Sequence, residues 1–204
     1  MPSAFFIPFD GEVGTGPLCV FVRTGGLHLA GDPISMIRFF VPVENTEDAM
    51  EIFEFIHDAT TLGSILEFAA TENGDILILS YCSVTMPCQL GAIVTVYNYR
   101  GERQRSFSLA GLPEALAGFT PNRMLYRDKK LVFASTSALM LVVTDMAGTY
   151  ESHTDLLSGL ELSAAARDGA ELGGFDVDAQ GTVLYTIPTA FKAFRRKPGE
   201  KAES

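Results

Sequence analysis

The sequence repeats a unit of about 50 residues, and this repeat constrains the fold more than any other feature. Each copy has a short apolar strand, a tight turn, a second apolar strand, a loop, and a third strand that ends in another turn. The first turns contain Gly26, Gly74, Lys130 and Gly181, and the last turns contain Asn45, Gly101, Gly148 and Gly199. Both sets of landmarks give the same irregular period, which indicates four copies of one supersecondary unit.

The strands of these copies favour an all-β fold. They are rich in Val, Ile, Leu, Phe and Tyr, as half-buried strands require, and several turns carry the Asn-Gly or Gly-Gly pairs typical of tight hairpins. No run approaches 18 uncharged apolar residues, so no membrane-spanning helix is expected. We therefore predict a single domain over residues 1–204, with repeats at about 17–57, 64–109, 122–157 and 173–204.

Two segments leave alternatives open. The last repeat lacks a fourth strand, and residues 4–9 form a spare apolar strand that would complete it and close a ring. Residues 46–59 carry acidic residues at helical spacing opposite Ala49, Ile52, Phe53 and Ile56. The local periodicity there predicts an amphipathic helix, whereas the repeat predicts a strand.

Two stretches resemble blade sequences of NHL-type and related six-bladed β-propellers: GAIVTVYNYRG at residues 91–101 and GFDVDAQGTVLY at residues 174–185. The resemblance implies a β-propeller-like fold with about four antiparallel blades. The chain departs from that family in showing four repeats instead of six, and having no Trp it lacks the Trp-Asp signature of WD40 repeats. A four-bladed ring, a fragment and an arc completed by another copy all fit this count.

Charge is distributed unevenly along the chain. Residues 1–100 contain 12 acidic and 3 basic residues, within a chain of net charge −10. This half would be repelled by nucleic acid or an anionic membrane, so neither is predicted as a partner. A basic cluster near the C-terminus comprises Lys192, Arg195, Arg196, Lys197 and Lys201. It is either a solvated edge strand or a surface that docks onto an acidic partner, for which the acidic half of a neighbouring copy is a candidate.

The three cysteines do not make a disulfide framework, because their number is odd. Cys19 lies in an apolar run and is interpreted as a buried small hydrophobe. Cys82 and Cys88 would form a local disulfide or remain free thiols, and too few further ligands lie nearby in sequence to predict a metal site. The N-terminus lacks the features of a secretory signal, so the protein is intracellular or exported with its signal removed.

Motifs for catalysis are missing from the sequence. It contains no H-E-x-x-H, no G-x-S-x-G and no phosphate-binding loop. We therefore assign no catalytic residue, metal or cofactor. Because propellers bind ligands through loops at one end of the channel, the candidates for a binding face are residues in such loops: Asp32, His57, Asp58, Cys82, Cys88, Asn122, Arg123 and Asp168.

Two functional hypotheses follow. The first is a non-catalytic, β-propeller-type module for protein binding or assembly, whose partner is another protein or another copy of the chain. The alternative is a metal-dependent, lactonase-like hydrolase, because propellers that resemble lactonases place acidic residues and an Asn around a divalent cation. Asn122 and several Asp residues could imitate that arrangement.

Overall fold

The computed structural model describes residues 65–82, 91–98 and 100–203, together with the backbone of four strands nearer the N-terminus. The chain divides into two compact units, Met1–Phe107 and Ser108–Ser204. In the described part of the chain each unit contains two antiparallel sheets, and in every sheet the strands follow one another in chain order. The predicted all-β fold of about four antiparallel repeats is therefore confirmed. The prediction of a single domain over residues 1–204 stays a prediction.

The first unit contains sheets I and II. Sheet I has the order β1-β2-β3-β4, formed by Ser3–Ile7, Leu18–Arg23, Ile34–Pro42 and Ala49–Asp58. Sheet II has the order β5-β6-β7-β8, formed by Ile65–Ala70, Ile76–Tyr81, Ala92–Tyr97 and Arg103–Phe107.

The second unit contains sheets III and IV. Sheet III has the order β9-β10-β11-β12, formed by Arg123–Arg127, Lys130–Ser135, Met140–Thr144 and Tyr150–Asp155. Sheet IV has three strands, β13-β14-β15, formed by Phe175–Val177, Val183–Ile187 and Lys192–Arg196. The loops of this unit carry a short helix, α1, at Ala164–Arg167, and two 3₁₀ turns at Glu114–Leu116 and Pro188–Ala190.

Residues Ala49–Asp58 form a strand, so the helical alternative for the segment at 46–59 is wrong. Its residues Ala49–Asp58 pair antiparallel with β3, with a register shift between Phe39 and Phe40. The aromatic and β-branched residues of this strand suit a pleated sheet as well as a helix face, and pairing with β3 satisfies the backbone N–H and C=O groups on the side that faces β3. Tertiary pairing therefore overrides the helical periodicity.

The N-terminal strand lies in sheet I. We expected residues 4–9 to complete the last repeat, but β1 pairs with β2, with Phe5 opposite Val20. Pairing with the next strand along the chain closes a short loop, which costs less chain entropy than pairing with a strand at the far end of the sequence. Sheet IV accordingly has three strands, and the backbone of Glu203 forms an isolated antiparallel bridge with Arg195.

Four hairpins share one turn, which has the pattern Thr/Asn/Asp-x-x-Gly-x. Its first residue is Thr71, Asn98, Asp145 or Asp178. In the last two turns a single carboxylate oxygen accepts two backbone N–H groups: Asp145 Oδ1 from Ala147 and Thr149, both at 2.8 Å, and Asp178 Oδ1 from Gln180 and Thr182, at 2.9 and 2.7 Å. The fourth residue is always glycine because its φ lies between 76° and 85°, where a side chain would be strained.

These hydrogen bonds stabilise the ionised form of both aspartates. The backbone N–H of Thr149 lowers the pKa of Asp145, and that of Thr182 lowers the pKa of Asp178, each from an ordinary value of 3.8. A carboxyl whose pKa is lower in the folded state contributes stability above its unfolded pKa and loses that contribution as the pH falls through the folded value. The turns are therefore stabilised at neutral pH and weakened in acid.

We predict that the double variant Asp145→Asn, Asp178→Asn makes unfolding less sensitive to acid. Asparagine keeps the Oδ1 acceptor, as Asn98 does naturally in the same turn, where its Oδ1 accepts the N–H groups of Arg100 and Glu102. The variant should be less stable than the wild type at pH 7, and the difference should shrink as the pH falls below 3.8. Urea unfolding at a series of pH values measures this; a difference that is constant across the series would contradict the argument.

Sheets II and III are buried on both faces, whereas sheet IV is buried on one. Consecutive residues from Ile76 to Leu79 in β6, and from Leu131 to Ser135 in β10, are all buried. Because successive side chains of a strand point to opposite faces, both faces of these sheets are covered. In β14, by contrast, Val183, Tyr185 and Ile187 are buried, whereas Leu184 between them is 53% exposed.

The covered face of sheet IV packs against sheet III around one apolar core. The core includes Val132, Leu141 and Leu156 from the sheet III side and Tyr185 and Ile187 from sheet IV. Burying such side chains contributes about 1.5–3 kcal/mol for each large apolar residue. This interface fixes the relative placement of the two sheets within the second unit.

We predict that Gly173→Ala destabilises this unit by about 1–3 kcal/mol through overcrowding. A Cβ at Gly173 would lie 2.6 Å from Thr186 Oγ1 and 3.0 Å from Pro188 Cγ, where the chain enters sheet IV. Gly118→Ala is the matched control, because a Cβ there would meet nothing within 4 Å. Thermal unfolding of both variants measures the difference; equal melting temperatures would contradict the packing described for Gly173.

Candidate functional site

A cleft of about 600 Å³ lies between sheets III and IV in the second unit. Its apolar floor consists of Val132, Leu141, Val143, Val177 and Val183. The first three lie on one face of sheet III, because Val132 pairs with Val143 on the adjacent strand and Leu141 lies two residues before Val143. The floor is therefore the outer margin of the core that joins the two sheets.

Charges of both signs surround the cleft in equal number. The charged residues of its lining are Arg127, Lys130, Arg196 and Lys197 on the basic side, and Asp128, Glu151, Asp155 and Asp178 on the acidic side. Several of these groups are already paired: Arg127 with Asp176 and Lys130 with Glu151, each at 2.6 Å. The positive and negative charges around the cleft therefore balance, and the cleft favours neither an anionic nor a cationic ligand.

Arg196 and Tyr185 connect the two sheets through backbone carbonyls. Arg196 Nη1 donates to the carbonyl oxygens of Asp155 and Ser158 at 2.8 and 2.9 Å, and the Tyr185 hydroxyl donates to that of Leu156 at 2.8 Å. Burial raises the pKa of Tyr185, so its hydroxyl keeps its proton and acts as a donor. Through these hydrogen bonds, sheet IV binds the last residue of β12 and the loop that follows it.

The second surface of interest is the exposed face of sheet IV, which we call the open face. Across its three strands Asp176 lies opposite Leu184, and Leu184 lies opposite Arg195. Thr186 and Ala193 form the next cross-strand pair and are also exposed. At the turn between β14 and β15, Phe191 is 96% exposed. Of the three large apolar residues exposed among the described residues, two, Leu184 and Phe191, therefore belong to sheet IV or its turn.

The predicted binding-face residues of the first unit are only partly described. Asp32 and Cys88 lie outside the described residues, and His57 and Asp58 occupy the last two positions of β4, opposite Ser35 and Ile34. Cys82 follows β6 and is disulfide-bonded, and its N–H donates to the carbonyl of Gly91 at 3.0 Å. It is therefore not a free thiol.

The predicted binding-face residues of the second unit lie near the start of β9 and at the end of α1. Asn122 exchanges hydrogen bonds with Thr136: its Nδ2 donates to Thr136 Oγ1 at 2.7 Å, and its Oδ1 accepts the Thr136 N–H at 3.0 Å. Arg123 is exposed as the first residue of β9, and Asp168 is exposed where α1 ends. The binding role assigned to these residues stays a prediction.

Sequence reasoning missed the open face. Leu184 lies in the apolar strand Val183–Ile187, where nothing in the sequence separates it from its buried neighbours. Only the absence of a covering layer over this side of sheet IV makes it a surface residue. The one sign in the sequence was Arg195, which lies opposite Leu184 on this face, since a charged side chain in a strand favours an exposed face.

Comparison with known proteins places the fold. No protein-family model and no curated protein matches the sequence. Among solved structures, a putative 6-phosphogluconolactonase from Bacteroides uniformis is similar over 90% of this chain and 52% of its own, with 10% identity and a TM-score of 0.50. A protein from Lactobacillus plantarum is similar over 86% of this chain and 48% of its own, with 8% identity and a TM-score of 0.51. The fold is β-propeller-like.

At these identities the similarity concerns the fold alone. The chain spans about half the length of both structures. HIRA(644–1017) is also similar, with 14% identity over 96% of this chain and 52% of its own and a TM-score of 0.46. Within the described part of the chain, no helix is long and apolar enough to cross a membrane, and no three His, Cys, Asp or Glu residues are grouped as a metal site would require.

We predict that Tyr185→Phe lowers the stability of the second unit by about 1–3 kcal/mol, because it leaves the buried Leu156 carbonyl without its donor. Tyr150→Phe is the control. Its hydroxyl forms a hydrogen bond with His153 Nδ1 at 2.8 Å on the exposed edge strand β12, where the loss should stay within about 0.5 kcal/mol. Chemical unfolding of the two variants gives the comparison, and similar losses in both would refute the bridging role of Tyr185.

Proposed function

We propose that this chain is a protein-binding or assembly module of the β-propeller type, with the open face of sheet IV as its contact surface. The observation that carries the proposal is the difference in burial between sheets: sheets II and III are buried on both faces, whereas sheet IV leaves Leu184 53% exposed at the centre of a strand. A blade-like sheet with an uncovered face is stabilised when another layer packs on it.

The composition of the open face supports a protein partner. It combines Leu184 and Ala193 with Thr186, Asp176 and Arg195, which gives an apolar centre with polar and charged neighbours. Protein interfaces have this arrangement, since an apolar core excludes water and a polar rim sets orientation. The rigid hydrogen-bonded sheet beneath these side chains reduces the entropy lost on binding.

The NHL-type relationship belongs to this proposal. Its support is the Asp-x-x-Gly turn at 178–181, which follows an apolar strand and precedes an aliphatic and aromatic strand, as the sequence resemblance implies. In a propeller built from such blades, each sheet packs between two others. An uncovered blade face therefore marks a position where a further sheet belongs.

Site-specific photocrosslinking tests the proposal. A photoreactive amino acid at position 184, in the full chain expressed in cells, should yield covalent adducts with a protein, whereas the same group at Lys129 should not. Lys129 is a suitable control because it is an exposed residue in the β9–β10 turn of sheet III and does not belong to sheet IV. Mass spectrometry of the adducts identifies the protein attached and the peptide reached.

The results separate this proposal from its alternatives. Adducts at position 184 alone support the contact surface, and equal yields at both positions, or adducts only within the same chain, overturn it. Elemental analysis of the purified protein is run in parallel. A stoichiometric divalent cation would favour the metal-dependent, lactonase-like hydrolase instead.

A further inference from the structure

We infer that the open face of sheet IV binds the acidic N-terminal half of a second copy of this chain. The inference rests on the proposed function and names its partner. It concerns unlike surfaces, the C-terminal sheet of one copy and the N-terminal half of the other, so the contact is head-to-tail.

The open face exposes apolar surface on the hydrogen-bonded strands of sheet IV. Leu184 lies between Asp176 and Arg195 in one cross-strand row, and it is 53% exposed on a strand whose other side is fully packed. Asp176 forms an ion pair with Arg127, whose Nη2 lies 2.6 Å from its carboxylate. The row therefore presents an apolar side chain beside a cation, Arg195.

Basic residues are concentrated in the last strand of sheet IV and in the segment that follows it. Residues 192–203 contain five of the fifteen basic residues of the chain, with two acidic residues among them. They belong to β15 and to the segment after it, which returns to β15 through the paired backbones of Arg195 and Glu203, at 2.8 Å in both directions. Within β15, Arg195 lies on the open face, whereas Lys192 and Arg196 lie on the opposite face. Lys197 pairs with Glu200 at 3.7 Å. Arg195 is therefore the basic residue of β15 that a partner on the open face would meet.

The N-terminal half of the chain carries the opposite, negative charge. Residues 1–100 contain 12 acidic and 3 basic residues. The strand β4, at the end of the strand order of sheet I, contributes Glu51, Glu54 and Asp58 and no Lys or Arg. Opposite potentials speed association and select the orientation in which the unlike ends of two copies meet.

A head-to-tail contact either closes into a ring or continues into a filament. The two solved structures with TM-scores of 0.50 and 0.51 are each about twice as long as the segment this chain matches. Two copies would supply a comparable length of propeller. We therefore expect closure with two copies, in which both open faces are covered.

Light scattering coupled to size exclusion measures this directly on the full chain. The wild type should have twice the 22.1 kDa mass of one chain. Leu184→Glu and Arg195→Glu should each give the single-chain mass, with a dissociation constant raised at least about tenfold, as expected where a central contact is lost. Raising the ionic strength to about 1 M, where the Debye length is about 3 Å, should weaken the wild-type dimer.

Lys129→Glu is the matched control, since it makes the same charge change as Arg195→Glu at an exposed turn of sheet III. It should remain dimeric. Circular dichroism and thermal unfolding establish that each variant is folded before its mass is interpreted. A single-chain mass for the folded wild type over a concentration series would overturn the inference.

Complementation separates head-to-tail pairing from pairing of like faces. Glu51→Lys with Glu54→Lys reverses charge in the acidic half and should also give single chains. Mixing this variant with Arg195→Glu should restore a dimer, because an intact basic face then meets an intact acidic half. A dimer formed by the Glu51→Lys, Glu54→Lys variant alone would overturn the inference in favour of pairing between like faces.

The outcomes also distinguish this inference from the proposed function. If the wild type is a single chain and position 184 crosslinks to a different protein, the module still binds protein but its partner is not a second copy. If position 184 yields no intermolecular adduct, the proposed function fails as well.

Discussion

The fold depends on packing small antiparallel sheets face to face. A strand such as Ile76–Tyr81 is apolar on both sides, and its sheet is stable only when both faces are covered. The same need governs β10, whose residues from Leu131 to Ser135 are all buried. Where the covering layer is missing, as over Leu184, the uncovered face becomes a candidate contact surface. Stability and proposed function therefore follow from one requirement.

The hairpin turns set the geometry on which this packing depends. In the turns of Asp145 and Asp178, one carboxylate oxygen receives two backbone N–H groups while a glycine at positive φ reverses the chain. Each such turn fixes the register of the strands that it joins, and register decides which residues face the core. The hydrogen bonds of the Asp178 turn therefore help to place Leu184 on the open face of β14 and Tyr185 on its covered face.

The second unit shows how adjacent sheets are joined and where they leave space. Tyr185 and Arg196 of sheet IV donate hydrogen bonds to three backbone carbonyl oxygens at the end of β12 and in the loop that follows it. A cleft between the same two sheets has four basic and four acidic residues in its lining. Its charges are balanced, whereas the open face places Arg195 directly beside the exposed Leu184.

The sequence by itself determined the all-β class, the four repeats and the uneven charge, because a strand period of two and a turn at regular intervals are visible in one dimension. It left residues 46–59 undecided, since Ile52, Phe53 and Ile56 suit a helix face and a sheet equally, and pairing with β3 decided for a strand. From the sequence, Asn122 was a candidate ligand for a divalent cation, whereas in the structure its side chain exchanges two hydrogen bonds with Thr136. Only the tertiary structure made Leu184 a surface residue, because burial is a property of what lies across from a strand and not of the strand itself.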